Sequence, residues 1–373
     1  MSKIKKLKLT YTPKELQELF ARHDLPSQFC IVPFSNLILN PSGDIGVCRQ
    51  KGTEHVVGNI LKDSLEDIWK GEYLQKWREE FLTGNIEICK KEVATDACHL
   101  SADNYVFFPE IDLTKDQKNL PIKLTANFNG KCNLKCTMCD VWMMENGLYD
   151  RIGFWERSEK EFFPFIKEIE LLSGEPFIQK DTYRLIEQVS QVNPETLWSI
   201  TTNGFWKWNQ AIKKALDKIV VKNIIFSIDS LDEDLYGEIR RGGKLKQVLQ
   251  TLDDLLDYEK LRKKEGKSSL GLTLHFLVMK NNWHELPEVV RFTEEKGIRL
   301  TVNNCYDPKE LSLWDYSSEE ELDVGLSIID MCSGHELQRV TRSLLAIGHD
   351  LKPLDRATLM SELSTKLRTY RER

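Results

Sequence analysis

From about residue 119 onward, short apolar runs alternate with amphipathic, helix-length stretches, and this alternation limits the fold more than any other feature of the chain. Strands are expected near 121–127, 168–173, 197–202, 222–229, 270–278 and 298–304. Strand-helix alternation of this kind implies a parallel sheet. Six units are too few for a closed eight-stranded barrel, so the expected core is an α/β fold with an open, partial (β/α)6 barrel. The expected layout is an N-terminal helical segment over 1–28, a small α+β domain over 29–118, the partial barrel over 119–310 and a helical C-terminal extension over 311–373.

Cys132, Cys136 and Cys139 follow the first expected strand, where barrel chemistry is placed. No histidine lies between His99 and His275 to complete the set. Structural zinc takes four protein ligands, whereas a cubane iron-sulfur cluster can leave one iron to an outside ligand. A zinc knuckle borrowing a distant fourth ligand, or three unligated thiols, is the alternative.

With its cysteines at these spacings, the loop resembles the radical S-adenosylmethionine (radical SAM) superfamily. The resemblance implies a [4Fe-4S] cluster on Cys132, Cys136 and Cys139, with S-adenosylmethionine chelated to the fourth iron. One electron would cleave the sulfonium to a 5'-deoxyadenosyl radical that abstracts hydrogen. Met138 stands where the family often has an aromatic residue, a soft apolar replacement. Gly174, Glu175 and Pro176 follow the second strand and resemble the family's motif for the cofactor ammonium; a solvated turn acid is the alternative for Glu175. Asn203, Ser227 and Asp229 occupy strand-end positions that the resemblance assigns to the cofactor; Arg240, shortly after the fourth strand, matches an arginine that in related enzymes approaches the cofactor carboxylate, with a salt-bridged surface arginine as the other reading. His275 lies within the fifth strand as a core or catalytic histidine, and Cys305 follows the sixth. Both are candidate catalytic residues, with a small buried hydrophobe the plainer reading of Cys305. Cys332 has no distinguishing context.

Cys30 and Cys48 flank a turn at Pro41–Asp44 between two strand-like runs, a hairpin pattern. Asp63 or Ser64 is the expected cap of a helix that carries Leu65, Ile68 and Trp69 on one face. With Cys89 and Cys98 the region resembles the SPASM and twitch modules, implying a second, auxiliary [4Fe-4S] cluster on Cys30, Cys48, Cys89 and Cys98. Zinc in a four-cysteine site is the alternative. The module usually follows the barrel and here precedes it. Phe154, Trp155, Phe162, Phe163 and Phe165 read as barrel-covering core, and DDLLDYEKLRKKEGK as a solvated amphipathic helix.

Composition narrows the function classes. The longest apolar runs are strand-length, too short to span a membrane, and MSKIKKLKLT lacks the apolar core of a secretory signal. A cytoplasmic protein is expected, in which nine cysteines serve metal or redox sites rather than disulfides. The net charge of −6 argues against nucleic acid as a partner. The resemblance implies an oxidoreductase acting on a peptide or small molecule and served by a flavodoxin- or ferredoxin-type electron donor. Dehydrogenation of a sugar or aminocyclitol, a non-catalytic zinc-binding interaction protein, and a degenerate barrel that no longer cleaves the cofactor are the alternatives.

Overall fold

The computed structural model describes residues 8, 11–48, 56–92, 105–349 and 351–371. Its strands are β1 (Asn36–Leu39), β2 (Asp44–Gly46), β3 (Gly58–Asn59), β4 (Lys123–Ala126), β5 (Lys135–Cys136), β6 (Glu168–Leu171), β7 (Leu197–Thr202), β8 (Val220–Ser227), β9 (Arg240–Arg241), β10 (Thr273–Val278) and β11 (Arg299–Asn304). The six strands expected from the sequence are β4, β6, β7, β8, β10 and β11, with no end displaced by more than three residues. Contacts divide the chain into two compact units, one of Met1–Lys131, Met143–Ser199 and Lys213–Val220, the other of Cys132–Trp142, Ile200–Ile212 and Val221–Arg373.

In the first unit β6, β4 and β1 run parallel in that order, with Lys123 opposite both Asn36 and Glu168. Leu37 and Leu39 of β1 and Leu124 and Ala126 of β4 are fully buried, as apolar strands inside a parallel sheet must be. The hairpin expected around Pro41–Asp44 forms: β2 pairs antiparallel with β1 through Ile38 and Gly46. Gly43 turns it at φ +85°, a conformation that side chains rarely adopt, and a Cβ there would lie 2.9 Å from Leu148. Ser64, of the two expected caps, accepts from Asp67 N at 3.1 Å and starts the helix Leu65–Lys70, which buries Ile68 and Trp69. Phe128 packs its ring 5.0–5.6 Å from those of Tyr149, Phe154 and Trp155. Phe165 departs from the expected core: it is 57% exposed, while Phe162 and Phe163 are buried.

Arg78 is the polar staple of this unit. Its guanidinium is buried and donates to the carbonyls of Pro33 at 2.8 Å, Lys115 at 3.1 Å and Trp69 at 2.8 Å, while lying 4.3 Å over the Trp69 ring. Burial lowers its pKa to about 10, and the charge survives at neutral pH.

In the second unit β8, β10 and β11 are parallel, with His275 opposite both Ser227 and Thr301. Ile224, Phe226, Leu274, Phe276 and Val278 are buried on one face, whereas Ser227, His275 and Leu277 on the other are only half-buried. The run expected to be a solvated amphipathic helix is helical as far as Lys264, within Leu245–Lys264, and besides the apolar Leu255 and Tyr258 it buries Glu259 and Arg262. The two charged residues are buried because each serves the loop that follows: Glu259 accepts from Leu270 N at 3.0 Å, and Arg262 donates to Ser268 O at 3.1 Å. The helical extension comprises Ser318–Met331, Gly334–Ile347 and Pro353–Arg371, the first two opened by capping boxes, Ser317 with Glu320 and Ser333 with Glu336.

Arg78→Ala strands three buried carbonyls, each costing about 1–3 kcal/mol when unpaired. Denaturant unfolding is expected to show a loss of at least about 3 kcal/mol. A loss below about 1 kcal/mol would mean that water serves these carbonyls.

Candidate functional site

The loop bearing the three cysteines is fixed within the second unit by a two-residue antiparallel ladder, in which Cys136 stands opposite Arg240 and Lys135 opposite Arg241. Thr137 extends the ladder, donating its N–H to Ile239 O at 2.9 Å. Cys139 N donates to Cys136 O at 3.2 Å, and Trp142 Nε1 donates to Cys139 O at 2.8 Å. These bonds leave the sulfurs for other partners. Leu134 N lies 3.5 Å and Asn203 Nδ2 3.6 Å from Cys132 Sγ, and Arg240 Nη1 lies 3.8 Å from Cys136 Sγ. Asn203 is held in turn by Asn133 Oδ1, to which it donates at 2.9 Å, and by Phe205 N, from which it accepts at 2.8 Å.

Burial pushes the Cys136 thiol up to about 11, with Arg240 opposing that rise and the neighbouring Cys139 and Cys132 adding to it; burial also raises Cys139. Cys136 therefore feels the other two thiols in a poorly hydrated setting. A thiol becomes a metal ligand by giving up its proton. Met138, expected near the cofactor, packs with Leu277 and Leu311 against the buried Ile239, Met279 and Cys305. Among the described residues no three His, Cys, Asp or Glu side chains converge on a single metal ion. A cubane spreads its thiolates over separate irons and makes no such demand. Three soft donors, N–H groups on two of the sulfurs and an apolar wall fit a cluster of that kind.

Arg240 is not a surface arginine. Its side chain is 8% exposed and its Nη2 lies 2.6 Å from Asp229 Oδ2, with Asp229 fully buried. Burial opposes the guanidinium charge, but Asp229, aided by Cys136 and Tyr236, more than offsets it and raises the pKa. Leu277 N donates to Asp229 Oδ1 at 3.0 Å. Asn282, missed in the sequence, is wholly buried; it donates to the carbonyls of Asp229 at 2.8 Å and Leu277 at 2.9 Å and accepts from Met279 N at 2.7 Å. Ser227 closes β8 half-buried. His275 is half-buried rather than core, with Nε2 2.9 Å from Asn303 Nδ2. Cys305 is buried, donates to Asp307 O at 3.4 Å and is pushed up to about 11 by burial.

In the first unit the Gly174–Pro176 turn is built around the Lys131 carbonyl, which accepts from Glu175 N at 3.0 Å and Gln179 Nε2 at 2.8 Å. Gln179 also donates to Ser173 O at 2.9 Å, and Asn129 donates to Asp181 Oδ2 at 2.5 Å. Glu175 is fully buried rather than a solvated turn acid, and its Oε1 accepts from Phe177 N at 3.1 Å, capping the short turn Pro176–Ile178. Gln179 and Asn129 were missed as well; their only signal is that short amides near a tight turn bond to backbone.

The N-terminal cysteines also lie in the first unit. Cys30 precedes the short helix Val32–Ser35, Cys48 follows β2, and Cys89 sits on the helix Glu87–Glu92. All three are half-buried. Asn36 Nδ2 donates to Val47 O at 2.6 Å, tying the backbone before Cys48 to the start of β1. Glu80 Oε2 accepts from Ile88 N at 2.7 Å and secures the helix of Cys89. Cys98 lies outside the described residues.

Residues 126–293 match the family model of the Radical SAM superfamily, and residues 30–94 match that of an iron-sulfur cluster-binding domain. The second match takes in Cys30, Cys48 and Cys89 and ends before Cys98. A probable GTP 3',8-cyclase of Methanocaldococcus jannaschii is 27% identical over 192 residues, 50% of this chain and 60% of that protein. The GTP 3',8-cyclase of Marinobacter nauticus is 26% identical over 228 residues, 60% and 61% of the two chains. The chain thus spans less than two thirds of the length of these curated relatives. Streptococcus suis SuiB, solved bound to precursor peptide SuiA, aligns with a TM-score of 0.41 at 16% identity, covering 81% of this chain and 69% of that one.

A Cβ at Gly174 would stand 2.2 Å from Lys131 O at a φ of +40°. Gly174→Ala is expected to cost about 2 kcal/mol or more in urea unfolding and to deprotect the Glu175 amide in hydrogen exchange. An amide exchanging as slowly as in the parent protein would refute this account of the turn.

Proposed function

Since this chain is a member of the radical SAM superfamily and carries an iron-sulfur cluster-binding domain ahead of the barrel, we propose that it cleaves S-adenosylmethionine reductively and oxidises a peptide by hydrogen abstraction. The observation that carries the reading is the cysteine loop itself, held in one shape by the ladder to Arg240, with N–H donors on Cys132 and Cys136. Bound there, a [4Fe-4S] cluster would supply the one electron that cleaves the sulfonium of S-adenosylmethionine to methionine and a 5'-deoxyadenosyl radical. Cys132, Cys136 and Cys139 hold it, and Asn203 and Arg240 donate toward the sulfurs. Met138, which lies between Cys136 and Cys139, packs with Leu277 against the buried Met279 and Ile239, and so offers the loop an apolar neighbour. On the family's motif positions Gly174, Glu175, Pro176, Asn203 and Ser227 serve the cofactor.

Cys30, Cys48 and Cys89, with Cys98, are the proposed ligands of a second [4Fe-4S] cluster, supported by the cluster-binding match over the first three. Held there, such a cluster would supply an acceptor for the electron that a two-electron oxidation leaves on the substrate. A one-electron donor of flavodoxin or ferredoxin type feeds the system. Peptide is preferred because modules of this kind commonly accompany peptide modification. GTP is the second reading, favoured by the names of the curated relatives.

Anaerobic reconstitution is expected to load roughly eight irons per chain as two cubanes. 5'-Deoxyadenosine should form on adding S-adenosylmethionine and a strong reductant. Replacing Cys132, Cys136 and Cys139 together by alanine is expected to remove about half the iron and all of that product. Colourless, zinc-loaded protein, or loaded protein that leaves the sulfonium intact, defeats the reading. Product formation stimulated by GTP and not by a co-encoded peptide moves the substrate to the second reading.

A further inference from the structure

The buried pair of Arg240 and Asp229 stands beside a cluster ligand with no solvent to screen it. The guanidinium directs Nη2 to Asp229 Oδ2 at 2.6 Å and Nη1 to Cys136 Sγ at 3.8 Å, and its buried Nε has no hydrogen-bond partner. Two of its three nitrogens thus serve a carboxylate and a sulfur of this chain. The β5–β9 ladder fixes the backbone on both sides, with Cys136 opposite Arg240. Asp229 is held at its other oxygen by Leu277 N at 3.0 Å and at its own carbonyl by Asn282. Neither charge is free to swing away.

We propose that Arg240 is a positioning residue that, balanced by Asp229, sets the charge felt by the cluster on Cys136 and so its reduction potential, rather than a clamp on the cofactor carboxylate. The inference rests on the functional reading above. Its physical basis is that hydrogen bonds to cluster sulfurs and nearby net charge govern such potentials, and that both act strongly where the dielectric is low. A cation with an N–H aimed at the sulfur favours the reduced, more negative cluster, and the carboxylate opposes it. The two substitutions should therefore shift the potential in opposite directions.

Full-length, anaerobically reconstituted protein is titrated potentiometrically while the cluster signal that shifts on addition of S-adenosylmethionine is followed by electron paramagnetic resonance. At the parent midpoint, Arg240→Gln is expected to lower the ratio of reduced to oxidised cluster about tenfold, equivalent to about 59 mV for one electron. Asp229→Asn is expected to raise it, and Arg240→Lys to recover most of the loss. The affinity for S-adenosylmethionine, read from the same spectra, should stay within about threefold, since the assigned role is electrostatic. The proposal is overturned if neither variant moves the ratio by about twofold, or if Arg240→Gln leaves the ratio in place and weakens cofactor binding more than about tenfold. If Arg240→Gln does not load iron, Asp229→Asn alone decides by the direction of its shift. A parent protein with no signal that responds to S-adenosylmethionine removes the functional reading and this proposal together; a responsive signal with unmoved ratios removes this proposal alone.

Discussion

Everything at the cysteine loop depends on one short piece of backbone pairing, the ladder that sets Cys136 opposite Arg240. A loop of cysteines has no apolar reason to adopt one shape, and thiols bond too weakly to impose one. The shape comes from N–H groups whose partners are carbonyls in the same unit: Thr137 on Ile239, Cys139 on Cys136, Trp142 on Cys139. Because backbone satisfies backbone, the sulfurs of Cys132 and Cys136 are left facing donors. Burial of Arg240 then requires Asp229, since an unpaired buried guanidinium is costly. Asn282 secures Asp229 and the carboxyl end of β10 at once, using both donors and its acceptor.

The same device recurs in the first unit. Arg78, Gln179 and Asn193 each spend their donors on main-chain carbonyls: Arg78 on three, Gln179 on Lys131 and Ser173, Asn193 on Ile166 at 2.6 Å and on two others. A forked or amide side chain can close several irregular segments at once, which is what loops at strand ends need. The Gly174 turn shows the tolerance involved, because its backbone approaches the Lys131 carbonyl more closely than any side chain allows.

The barrel strands were legible in the sequence because short apolar runs bounded by helix-length amphipathic segments give strands away, even where, as on β8 and β10, one face is only half-buried. The three cysteines stood out because thiols at fixed spacing are rare enough to be noticed alone, and what the structure adds is the ladder and the donors around them. Arg240 and Glu175 were legible as positions but not as environments. Their burial follows from Asp229 and from the cap on Phe177, contacts that no local pattern records. Asn282 carried no signal, and Gln179 only its place beside a tight turn, since an amide that serves distant carbonyls looks in sequence like any solvated amide. Phe165 and Glu259 misled in opposite directions: an aromatic in a core-like run is exposed, and an acid in a charged run is buried beneath Leu270 N.

Placing the cysteine-bearing N-terminal segment before the barrel is unusual for the resembled modules, and the sheet explains how that order is accommodated. β1 hydrogen-bonds in parallel to β4 along its whole length, from Asn36 opposite Lys123 to Leu39 opposite Ala126. A parallel neighbour requires a long crossover, and the chain between Leu39 and Lys123 supplies one that includes β2, β3 and the helices Leu65–Lys70 and Glu72–Thr83. The segment is therefore continuous with the first barrel strands rather than an appendage joined by a linker. Asn36, which opens β1, also holds the carbonyl before Cys48. The position of that cysteine is thus set by the same strand that lies beside β4, and any group bound there inherits the rigidity of a buried parallel sheet.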